Sequence, residues 1–207
     1  RLLVLPVTGV LLIAAAGLAD LYEGFGLGNL IGQFLAAAGP DHIAVSTAVT
    51  SALGLSPTAQ KLLGVLSLGS AAALFPTISA CRRGGAFQGA SLLLIPPVAL
   101  VIRLVAAYRL DSVNPALSAY YVELLALVFL TLGFYRLSSF AFHAGQLRLY
   151  AFYTGAAVVL SMAALADGGP YLSSLLLYAG GASVLMGFLL LRLASPVPST
   201  RQEEPPD

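Results

Sequence analysis

The chain has 207 residues, of which 58% are hydrophobic and only 9% charged, with a formal net charge of +1. Water-soluble domains run at about 45–50% apolar and about 25% charged, so a mean hydropathy of +0.91 calls for lipid-facing surface rather than an enlarged core. The near-neutral charge removes an electrostatic case for nucleic-acid binding, and the single Cys81 excludes an internal disulfide framework.

Crossing a hydrocarbon core of roughly 30 Å takes about 20 apolar residues. Six stretches reach that length, at 2–19, 59–80, 89–108, 117–135, 149–166 and 171–193. Lipid offers the backbone no hydrogen-bond partners and no barrel-like alternation is visible, so each is expected to be helical. The expected fold is all-α: a polytopic membrane bundle of about six helices forming one domain over 1–194.

The first span begins next to Arg1 rather than a Met, which leaves open whether the N-terminus is truncated. It is too long for a usual signal-peptide core and other spans follow, so it reads as a membrane helix. The segment 20–55 is interrupted by Gly24, Gly26, Gly28 and Gly32 and by Gly39-Pro40-Asp41-His42. It reads as an outer loop with short interfacial helices. A re-entrant loop lining a cavity is the alternative, since irregular backbone at membrane depth needs protein or water over it. Its glycines follow no strand and make no dinucleotide fingerprint.

Ser56-Pro57 places an N-cap before a first-turn proline and opens the second span. Pro96-Pro97 removes two backbone donors from the third span, where a kink is expected. Asn114-Pro115 precedes the fourth, and Asp167-Gly168-Gly169-Pro170 makes a tight turn between the fifth and sixth. The tail 195–207 combines prolines and acids with few apolar residues and is expected to be disordered.

Basic residues divide unevenly between the two sides. Arg1, Arg82, Arg83, Arg136, Arg148, Arg192 and Arg201 share one side, against Lys61 and Arg109 on the other. The positive-inside rule then puts both termini in the cytoplasm.

Arg103 and Glu123 are the ionisable residues lying deepest within the apolar stretches, on consecutive spans. A charge at bilayer depth costs about 2.5–3.5 kcal/mol on insertion scales, so it marks a functional site or an ion pair. Counting outward from a turn at 111–115, each lies eight residues along its helix, roughly 12 Å at 1.5 Å per residue. Arg103 and Glu123 are therefore expected to meet. The pairing is open between a structural bridge and part of a polar cavity. Tyr120 and Tyr121 flank it, either as interfacial aromatics or as lining of a ligand site. On the sixth span Ala179, Ser183 and Gly187 recur every four residues, a stripe that admits another helix closely. The partner is a helix of the same chain or a second copy in a homo-oligomer.

No catalytic, metal or cofactor motif is legible. His42 and His143 fall on opposite sides in this topology, no His/Cys/Asp/Glu set has ligand spacing, and neither a nucleophile elbow nor a phosphate loop occurs. The chain is expected not to be an enzyme and to need no cofactor or metal.

From Ser56-Pro57 to about Arg192 the chain resembles a group of hypothetical multi-spanning membrane proteins of Firmicutes, mainly gut Clostridia. The resemblance rests on Ser56-Pro57 before a Leu-rich span, Tyr121-Val122-Glu123-Leu124-Leu125, Phe134-Tyr135, Phe140-Ala141-Phe142 and Ala166-Asp167. It implies a bacterial inner membrane and transfers no activity and no site residue. The segment 20–55 lies outside it. Two functions remain: a non-enzymatic protein that binds, passes or senses a small solute through a polar site near Arg103 and Glu123, and an accessory membrane subunit in which that pair fixes helix registry. The lipid bilayer is the one partner that composition itself implies.

Overall fold

A computed structural model of the chain describes residues 3–26, 57–83, 90–111, 117–142, 145–166 and 172–194. The expected insertion beyond residue 26, the turn at 167–170, the tail 195–207, His42 and His143 lie outside them, as does the side chain of Tyr120.

The described residues form six α-helices and no strand: α1 (Val4–Gly24), α2 (Pro57–Arg83), α3 (Ile95–Asp111), α4 (Leu117–Ala141), α5 (Leu147–Ala166) and α6 (Leu172–Ala194). Each is part of a stretch long and apolar enough to cross a membrane. The 20 residues of α5 rise about 30 Å at 1.5 Å per residue, the thickness of a hydrocarbon core. Large apolar side chains such as Leu11, Val65, Phe75, Val105, Phe152 and Val159 point outward on four different helices. A soluble protein does not leave so much contiguous apolar surface uncovered. The chain is a multi-pass helical membrane protein.

Three boundaries differ from expectation. The first helix does not stop at residue 19 but runs to Gly24, carrying Asp20 and Glu23 with it. The fourth runs past 135 to Ala141, which puts Arg136 on the helix. Ahead of the third, Ala90–Leu94 is a short 3-10 helix and the α-helix starts at Ile95. Pro96 and Pro97 thus sit in the first α-helical turn rather than at a mid-span kink. There their missing N–H groups are ones the helix would not use.

The helices close into a ring in chain order, each packing on the next, with α6 returning to α1 and α4 also touching α6. The tightest contacts are those of α1. A Cβ at Gly9 would lie 2.7 Å from the Gly180 carbonyl oxygen, and one at Gly17 would lie 3.0 Å from that of Gly64. Glycine on both partners brings the backbones of α1 and α6, and of α1 and α2, into direct contact. Farther along α6, Gly187 faces Pro6 of α1. The row that α6 offers α1 is thus Gly180, Val184 and Gly187. It lies one position over from the expected stripe, sharing only Gly187. Ala179 and Ser183 are half-buried, and the Ser183 hydroxyl donates to the Ala179 carbonyl at 2.7 Å.

The inward face of α5 is Tyr150, Thr154, Ala157, Ser161 and Ala164. Its alternating spacing of four and three is that of a coiled-coil seam. Tyr150 is fully buried and its hydroxyl donates to the Leu185 carbonyl at 2.9 Å, tying α5 to α6. Leu74, Leu127, Leu130, Leu137, Val184, Leu185 and Phe188 fill the core beside it.

Candidate functional site: a buried ion pair across the ring

Arg103 projects from α3 into the ring interior. Its Nη1 donates to Asp20 Oδ2 of α1 at 2.6 Å, and its Nη2 donates to the hydroxyls of Ser173 and Ser174 of α6 at 3.2 and 3.3 Å. The Arg103 and Asp20 side chains are 8% and 3% exposed. Among the described residues, no Cα of α3 comes within 8 Å of α1 or α6. One side chain therefore joins α3 to two helices whose backbones α3 does not itself reach. A planar guanidinium with five donors in a fixed fork suits this better than an ammonium would.

The carboxylate that meets Arg103 is thus Asp20, not Glu123. The expected pairing assumed that neighbouring spans supply both charges. In the ring, the interior-facing position of α3 looks across to α1 instead. Glu123 is half-buried on α4, and Tyr121 is 58% exposed, outside the site. By polarity residue 20 falls just beyond the first apolar stretch, which hides Asp20 among loop residues in the sequence. The signal that identifies it is periodic: Gly9, Val10, Ile13, Ala16, Gly17, Asp20 and Gly24 form the buried face of α1, and Asp20 continues that face by steps of three and four.

Beneath the pair lies a cavity lined from five helices by Ile13, Ser67, Ser70, Pro96, Ala99, Leu100, Arg103, Leu130, Phe134, Leu177 and Gly181. It leaves about 20 Å³ in which the centre of a water molecule can sit, enough for about one water. Its walls are apolar apart from Arg103 and the two serines. Ser70 turns its hydroxyl back to the Leu66 carbonyl at 2.8 Å, a frequent way of satisfying a hydroxyl in a membrane helix. Among the described residues, Glu23 Oε2, one turn beyond Asp20, and the Thr154 and Ser161 hydroxyls on the α5 seam are buried without a hydrogen-bond partner.

Among the described residues no group of three His, Cys, Asp or Glu is placed to hold a metal ion. The polar site combines one cation, one carboxylate and hydroxyls. It can orient a small hydrogen-bonding molecule or hold three helices in register. No protein-family model, curated protein or solved structure matches the chain.

Proposed function

We propose that the protein passes a small uncharged solute across a bacterial inner membrane through the interior of the helix ring, with both termini cytoplasmic and no catalytic chemistry. The observation that carries this reading is the position of Arg103: it spans the ring interior and forms one wall of a cavity lined from five helices. Asp20 neutralises the guanidinium, so the cavity favours neither an anion nor a cation. Ser67 and Ser70 add the polar groups that a hydrogen-bonding solute needs. The Arg103–Asp20 bridge closes the ring at the end where α1 and α3 finish and α6 begins. Opening it means separating α3 from α1 and α6.

The test is reconstitution into liposomes with stopped-flow swelling, using water, urea and glycerol as probes. Wild-type protein is expected to raise permeability to at least one probe, and Ser67→Leu, which fills the cavity, to abolish the increase. Asp20→Asn is expected to change it. Permeability equal to that of protein-free liposomes for all three probes sinks this reading.

A second reading draws on the burial of both charged side chains: the bridge only locks registry, in an accessory subunit. Buried ion pairs can often be exchanged for well-packed apolar residues without loss of stability. The double variant Asp20→Leu with Arg103→Met separates the two. Under the lock reading it folds and behaves as wild type in every assay. Under the permeation reading it folds but has lost control of flux.

A further inference from the structure

We propose that Glu23 is a standby partner for Arg103: the guanidinium passes from Asp20 to Glu23, one turn along α1, and in doing so lets go of α6 and draws back from the cavity. This rests on the reading of the ring interior as a solute path and names the device that opens it. The observation behind it is a carboxyl oxygen that the resting fold leaves unused. Glu23 Oε2 is buried and, among the described residues, has no hydrogen-bond partner. A buried acceptor without a donor raises the energy of the resting state. That narrows the gap to a state in which the acceptor is bonded.

The placement of the three groups makes the exchange short. Asp20 and Glu23 stand at i and i+3 on one helix, a spacing that leaves Cβ atoms roughly 5–6 Å apart. Glu23 lies about 4.5 Å farther along the axis at 1.5 Å per residue, and its side chain is one methylene longer. Arg103 Nη1 is already 2.6 Å from Asp20 Oδ2. Asp20 repels a charge on Glu23 and Arg103 attracts it, so the guanidinium acts on both acids of α1. Among the described residues the other cationic side chain at this end is Lys61, whose ammonium lies 4.6 Å from the centre of the Phe25 ring.

The cavity meets α1 at Ile13, on the far side of Asp20 from Glu23. A shift from Asp20 to Glu23 therefore takes the guanidinium away from the cavity. Its Nη2 leaves the hydroxyls of Ser173 and Ser174, so α3 stays tied to α1 while α6 is released. Asp20 is then left with open acceptors, and a solute that donates hydrogen bonds can take the place of the guanidinium. Such a solute binds the exchanged state better than the resting one and shifts the population towards it. The permeant class this selects is small neutral molecules that carry N–H or O–H donors.

The experiment measures unfolding midpoints of the full chain in detergent. Glu23→Gln alone is expected to leave the midpoint unchanged or raise it, because Glu23 Oε2 is unbonded in the resting state. In an Asp20→Asn background the same substitution is expected to lower it by a few degrees, because Glu23 is then the carboxyl group that holds Arg103. With Arg103→Met added, that loss is expected to vanish. If Asp20→Asn fails to fold, Ser173→Ala with Ser174→Ala takes its place: it frees Nη2 from α6, and Glu23→Gln is expected to lower the midpoint there as well. Equal effects of Glu23→Gln in wild type and in the background used overturn the exchange. A loss that persists with Arg103→Met and disappears with Lys61→Gln assigns Glu23 to Lys61 and overturns it too. Unfolding midpoints do not depend on transport, so the exchange stands or falls separately from solute passage. In liposomes Glu23→Gln is expected to lower, several-fold, the permeability to any probe that wild type passes, and wild-type permeability in that variant overturns its part in opening.

Discussion

Asp20 and Arg103 are each tolerable in the membrane only because of the other. Removing one partner of a buried pair leaves an uncompensated charge and costs about 3–5 kcal/mol. Arg103→Ala and Asp20→Ala are therefore expected to lower unfolding free energy by about that much, read by chemical or thermal unfolding in detergent. Ser161 is the opposite case: its hydroxyl is buried without a partner, a placement that costs about 1–3 kcal/mol by protein mutational data. Ser161→Ala is expected to leave stability unchanged or raise it by up to about 1 kcal/mol. The importance of Arg103 was legible because a lone arginine in an apolar run is conspicuous. Its partner was not, because ion pairing over 83 residues of sequence depends on which helix lies across the ring.

At the level of helices, what distinguishes α1 is the absence of side chains where it meets its neighbours. Gly9 and Gly180 face each other across α1 and α6, and Gly17 and Gly64 across α1 and α2. Gly9→Val and Gly17→Val are expected to force those pairs apart, at about 1–3 kcal/mol each for overpacking, measurable as lower unfolding midpoints. Gly155→Ala is the control: a Cβ there meets nothing within 4 Å, so it is expected to change stability by less than about 1 kcal/mol. The existence and type of all six helices could be read from hydropathy, because lipid permits an apolar span of that length to be little else. Their ends could not. Asp20 and Arg136 look like boundary residues by polarity, yet contacts with Arg103 and with the Tyr153 ring let the helix continue through each. The α6 stripe was legible as a row of small residues, but its facing depended on the angle at which α1 crosses it.

For the molecule as a whole, closure of the ring makes the first and last described helices neighbours. The six spans among the described residues and the distribution of arginines put both termini on one side under the proposed topology. Reporter fusions at either terminus are then expected to give the same cytoplasmic signal, and opposite signals refute it.

The Arg103–Asp20 bridge also sets an order of events during synthesis. Asp20 is made 83 residues before Arg103, and Ser173 and Ser174 come another 70 residues later. At ~5–20 residues per second, the carboxylate waits roughly 4–17 s for its cation. For that interval α1 has an acid on the face it will later bury and only α2 to lean on. The nascent hairpin therefore needs shelter in the insertion machinery until the third helix arrives. A chain stopped after α2 is a membrane hairpin with an orphaned carboxyl group, a natural target for quality-control proteases.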